Sequence, residues 1–177
     1  MEKLSVVLLL LLLVNGLFIA PVSAGADTLV LENTADAQQP DRVLNGLKNA
    51  EISPDDTLLS EFNTPAVNAM AKKNWSAAGK MYGEKMLRYP SPDTIVHYAD
   101  ARLLMFKEVK TRNNAIAEFN TSVVPDALLY YRSAETVDNQ VNQLSADDKQ
   151  HLRAKIACIE AFIADKEAKT FTCRILR

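Results

Sequence analysis

The chain is poor in the residues that carry chemistry and in those that break regular structure. Its 177 residues include five glycines, two cysteines, two histidines and one tryptophan. No glycine-rich loop that could cradle a phosphate is present, and no HExxH, GxSxG or cysteine–histidine arrangement occurs. The two cysteines, Cys158 and Cys173, are too widely spaced for a redox CxxC motif or a metal site. No run of lysine or arginine rises above background, and the formal charge is −2, which argues against nucleic acid or an acidic membrane surface as a partner. Nothing in the pattern implies a cofactor or a metal.

What is present begins with an apolar run. Lys3 precedes a stretch from Leu4 to Ala20 broken only by Ser5, Asn15 and Gly16, and Pro21 and small residues follow. That is the layout of a secretory signal peptide. Val22 and Ala24 occupy the small positions that a signal peptidase reads, which predicts cleavage after Ala24, with Ala26 as the near alternative. No cysteine lies near the site, so no lipid anchor is implied. An uncleaved anchor is the rival reading, because roughly 17 apolar-rich residues just span a bilayer. On either reading the rest of the chain is translocated, and cleavage leaves a periplasmic or secreted protein with no inserted segment. The mature part is about 150 residues, the size of one domain with a real core. The expected organisation is a signal peptide over 1–24, a flexible lead over 25–40 and a single helical domain over 41–177.

An exported protein meets an oxidising compartment, which favours a disulfide between the two cysteines. If Cys158 lies on a helix ending near Lys166, the chain travels about 12 Å at 1.5 Å per residue. A turn and a few extended residues, at roughly 3.3 Å each, return it to Cys173. Such a bridge contributes about 3 kcal/mol in the chain-entropy model. Two unbridged buried thiols are the alternative.

Helix starts are marked repeatedly. Ser53, Thr64 and Ser91 each offer a capping hydroxyl followed by proline, and Ser145 is followed by acids in the first turn. A short helix over Asp41–Ala50 precedes them. The apolar residues between these signals recur at three and four. Val96, Ala99, Leu103 and Phe106 form one stripe. Ala127, Tyr130, Ala134, Val137, Val141 and Leu144 form another, and Leu152, Ile156, Ile159 and Phe162 or Ile163 a third. A second row, Ile95, Ala101 and Met105, predicts that the helix over Asp93–Lys107 is buried between neighbours. No segment alternates long enough for a sheet. The class is all-α, with antiparallel helix pairs stacked as a short solenoid or bundle.

One stretch is more specific. Lys72–Asp93, KKNWSAAGKMYGEKMLRYPSPD, places Trp75, Ala78, Tyr82, Met86 and Tyr89 on one helical stripe and then stops at Pro90. Alanine, an aromatic four residues on and a proline eight beyond resembles the second helix of a tetratricopeptide repeat, with Ala78, Tyr82 and Pro90 at those positions. Ala115, Phe119 and Pro125 form a weaker echo, the proline arriving two residues early. The resemblance covers roughly Leu59–Asn142, and an unrelated helical bundle is the alternative. It departs from the family at Pro65, where a leucine is expected inside a helix, and at Asp100, where a small residue is expected at helix contact.

The resemblance implies a concave face lined by the first helix of each pair. On this alignment the binding positions are Asn63, Val67, His97, Ala101 and Leu104. Asn63 equally suits a loop position ahead of Thr64, and Val67, Ala101 and Leu104 equally suit a core. His97 has Asp93 and Asp100 a turn to either side, and His151 lies near Asp147 and Asp148. The His97 trio could hold a metal or orient an imidazole, so a hydrolytic or metal centre is a third reading, set against a solvated helix face near an N-terminus where aspartates are favoured anyway; His151 has the same plain explanation. The expected function is a non-enzymatic, protein-binding scaffold or adaptor of the cell envelope. A periplasmic antagonist or immunity-type protein that blocks a toxic enzyme fits the same features.

Overall fold

The computed structural model describes residues 29–49, 59–113, 119–165, 167 and 170–175, with 59–64, 110–113 and 119 described by their backbone. Among these residues there are helices and no strand. A 3-10 turn over Thr34–Gln38 leads into α1 (Pro40–Asn49), and α2 (Leu59–Ala71), α3 (Trp75–Arg88) and α4 (Pro92–Asn113) follow. A π turn over Phe119–Val123 runs into α5 (Val124–Val141), and α6 (Ala146–Ala164) precedes an extended tail.

The sequence signals account for most of these boundaries. Asn74 caps α3 by accepting the Ala77 N–H at 3.2 Å, after Lys73 turns the chain with φ 57°. Pro90 follows its last turn. Ser91 accepts the Thr94 N–H at 3.2 Å, and Pro92 opens α4. Ser145 does the same for Asp148 at the head of α6, at 3.1 Å. Ser53 lies outside the described residues.

Two signals mislead. Thr64 and Pro65 do not begin a helix, because α2 starts at Leu59 and carries Pro65 in its interior. An interior proline costs about 3 kcal/mol. Ala66 and Ala69, buried on the same helix, continue its packing beyond the proline. Pro125 stands at the start of α5 and closes no helix, so the weaker echo of the repeat is not a helix ended by proline. Its alanine, Ala115, lies outside the described residues.

The segment expected to be a flexible lead is folded from Leu29 onward. Val30 and Leu31 both donate their N–H groups to the Leu87 carbonyl at the end of α3, at 2.8 and 3.0 Å. Asn33 and Asp36 cap each other's backbone, and Arg42 reaches Asp36 at 2.7 Å. This seat requires Gly46 on α1. A side-chain carbon there would lie 2.8 Å from Val30 Cγ1 and 2.9 Å from its carbonyl oxygen. Local reading missed the segment because its partners are far along the chain.

Packing is dominated by consecutive helices, α2 on α3, α3 on α4, α4 on α5 and α5 on α6. The 3-10 turn and α1 lie over α5. The centre of the core is Tyr82, Met86, Ile95, Leu103, Tyr130, Tyr131 and Ile159, all buried. Both rows of α4 contribute, as a helix between two neighbours requires. Cys158 and Cys173 are bridged, with Cα atoms 5.8 Å apart. Because Tyr82 is 1% exposed, Tyr82→Ala is expected to destabilise the fold by about 3–5 kcal/mol in a denaturant titration.

Candidate binding cleft

The consecutive packing leaves alternate helices side by side, and α2, α4 and α6 share one cleft of about 450 Å³. α2 contributes Val67, Met70 and Ala71, and α4 contributes Asp93, Val96, His97 and Asp100. From α6 come Asp148, His151, Leu152 and Lys155. Tyr82, Leu144 and Ile175 complete the lining. The residues of α4 and of α6 each fall at intervals of three and four, one face of each helix.

A buried polar network closes one side. The Lys155 ammonium donates to both carboxylate oxygens of Asp100 at 2.8 and 2.7 Å, and the Tyr131 hydroxyl donates to the same carboxylate at 2.6 Å. The side chains of Lys155 and Asp100 are only 11% and 3% exposed. Burial, and then the Asp100 charge, push the Tyr131 hydroxyl well above the usual tyrosine range. Asp100 therefore occupies the position where the repeat pattern expects a small residue, and meets a lysine and a tyrosine there.

His97 lies about one turn before Asp100 on the same α4 face. Its Nε2 lies 3.2 Å from Asp93 Oδ1, and its ring stacks on Tyr82 with centroids 5.0 Å apart. Nδ1 is shut from solvent and makes no hydrogen bond. An imidazole that is to accept a proton from a reactant needs an accessible nitrogen within hydrogen-bond reach. This one offers its exposed edge to Asp93. Burial, with Asp93 and Asp100 adding to it, pushes Tyr82 up to about 12. Lys85, buried behind the same end of α4, has its ammonium pKa lowered by desolvation, against which Asp93 acts. Among the described residues no three His, Cys, Asp or Glu side chains are placed to hold a metal ion.

The α6 wall is positioned by the turn before it. Asn142 closes α5 in the left-handed region, with φ 52°. Asp138 accepts the N–H groups of both Gln143 and Leu144 at 2.8 Å, and Lys149 reaches across to it at 3.1 Å. This fixes Leu144 at the cleft and sets the direction of α6.

Of the positions expected from sequence, Val67 and His97 line the cleft. Ala101 does not, being fully buried one position past the cleft face of α4, and it presents no surface to a partner. Leu104 packs partly buried against the core and is not part of the lining. Asn63 lies on α2, and its side chain is outside the described residues. His97 is less detached from the core than its polar neighbours suggest, since it covers Tyr82. Asp148, His151, Leu152 and Lys155 were not anticipated as a set, although their spacing alone puts them on one stripe of α6.

No protein-family model, curated protein or solved structure matches the chain.

Removing one partner of a buried ion pair leaves the other uncompensated. Asp100→Ala is expected to cost about 3–5 kcal/mol, whereas the Asp100→Leu/Lys155→Met/Tyr131→Phe triple variant, which leaves neither a buried charge nor the Tyr131 hydroxyl unpaired, recovers most of that loss in urea unfolding. A second expectation concerns alkaline pH. Tyr82 ionises near 10.0 when unfolded and near 12 when folded. The unfolded chain therefore releases its proton first, and the contribution of Tyr82 is complete below pH 10 and lost as the pH rises towards 12. Stability measured at about pH 9 and about pH 11 should fall more steeply in the native chain than in Tyr82→Phe. Lys85 is common to both chains and cancels in the comparison.

Proposed function

We propose that this protein is an exported, non-enzymatic scaffold of the bacterial envelope that holds a segment of a protein partner in the cleft between α2, α4 and α6. The observation that carries the reading is that alternate helices of the stack share one recess, the arrangement expected of a helical-repeat groove. Its size lies within the range of roughly 300–1,000 Å³ typical of binding pockets. Apolar walls from Val67, Met70, Leu144 and Leu152 surround a few convergent polar groups, the composition that gives affinity and orientation together. Export is supported by the apolar N-terminal sequence and by the disulfide. Among the described residues no helix is long and apolar enough to cross a membrane.

An antagonist that plugs a toxic enzyme is the second reading. A recess favours the scaffold, because a plug needs a projecting element. The acidic pair Asp147 and Asp148, which could serve as one, stands in the first turn of α6, where Ser145 caps the Asp148 N–H and donates its hydroxyl to the Asp148 carboxylate.

The test is affinity capture from the envelope fraction with the native chain and three variants. Val67 is 50% exposed, and Val67→Asp and His151→Ala are expected to keep the melting temperature and to lose the captured partner by at least about tenfold. Lys48→Ala on α1, away from the cleft lining, should retain it. Equal capture by all four chains would place binding elsewhere.

A further inference from the structure

Buried side chains and a disulfide tie the C-terminal tail to the body. Phe171, Cys173 and Ile175 are buried and alternate with exposed Thr172 and Arg174, the two-residue period of an extended segment lying on a surface. Phe171 meets Phe162 edge-on, with centroids 5.2 Å apart. Cys173 is bridged to Cys158 on α6, and Ile175 forms part of the cleft wall. Among the described residues, Cys173, Arg174 and Ile175 make no backbone hydrogen bond. Ordering an extended segment costs conformational entropy at every residue, and here a few side chains and one covalent link oppose that cost.

The attachment of α6 is different in kind. Leu152, Ile156 and Ile159 are buried, Lys155 binds Asp100, and Arg132 of α5 binds Glu160 at 2.6 Å. Arg153 adds a contact to Glu135 at 3.2 Å. None of these three ion pairs involves the tail.

We propose that the Cys158–Cys173 disulfide is a redox latch on the cleft. Its reduction releases Phe171–Ile175 and removes the Ile175 wall, while the helical stack stays folded. Cys158 is partly exposed and Cys173 is 4% exposed, so access directs an incoming thiolate to the Cys158 sulfur. The reductant is a dithiol. Its first thiolate bonds to Cys158 Sγ and expels Cys173 as thiolate. Its second thiolate then closes the reductant's own disulfide and releases Cys158. The protein disulfide gains two electrons and the dithiol loses two, and the two protein thiolates take up protons according to pH. Ile175 then leaves the cleft, which widens at that side. The consequence for partner binding rests on the reading of the cleft as the binding site, whereas the release of the tail does not.

The test therefore uses no partner. The full exported chain, labelled with 13C in the isoleucine methyl groups, is compared oxidised and after dithiothreitol, with the Ile175 signal assigned through Ile175→Val. On reduction the Ile175 methyl is expected to move to its free-chain position while that of Ile95, 0% exposed in α4, stays in place. Trypsin should cut after Arg174 about tenfold faster or more, since local opening governs access to the bond. The Cys158→Ala/Cys173→Ala variant should reproduce the reduced spectrum. An unmoved Ile175 methyl in a chain with two free thiols would overturn the latch, because packing alone would then hold the tail. Movement of Ile95 together with Ile175 would overturn it as well, since the bridge would then be holding the whole body.

Discussion

The contact on which the rest depends is the one between Asp100, Lys155 and Tyr131. It ties α4 to both helices that follow it, and it does so inside the body, where a lone charge is costly and a wrong partner is more costly still. Apolar stripes alone allow helices to slide or rotate by a residue with little loss. A lysine that must meet both oxygens of one carboxylate, while a tyrosine hydroxyl meets the same group, permits one register. The cleft inherits that register, since its α4 and α6 walls are the two helices so fixed.

The helices of the stack were largely legible in sequence because their signals are local. Stripes at three and four, the caps at Asn74, Ser91 and Ser145, and the prolines beside them are all read within one or two turns of chain. The disulfide was legible for a related reason, because the distance out along α6 and back along the tail can be added up from residue geometry. Asp100 marks the limit of this approach. Its apparent misfit in a helix contact has its explanation 55 residues away at Lys155, and no local pattern reports that.

The cleft lining was half legible. Val67 and His97 fell on faces that a helical stack turns towards one recess, so an alignment to a stacked repeat found them. Ala101, one position from the face, shows how narrow that margin is, because one residue on a helix is a rotation of about 100°. The α6 stripe was present in the sequence but was absorbed into the explanation of its first two acids as a cap. A capping residue and a site residue are not exclusive, and Asp148 is placed to be both.

The seat of the N-terminal segment sets an order of assembly. Each helix from α2 to α6 finds its principal neighbour next in sequence, so the stack can grow through contacts of short sequence separation. The segment from Leu29 to Gln38 cannot join at that stage, since its N–H groups wait for the Leu87 carbonyl and its 3-10 turn waits for α5. Although it precedes the stack in sequence, this segment is therefore among the last to close.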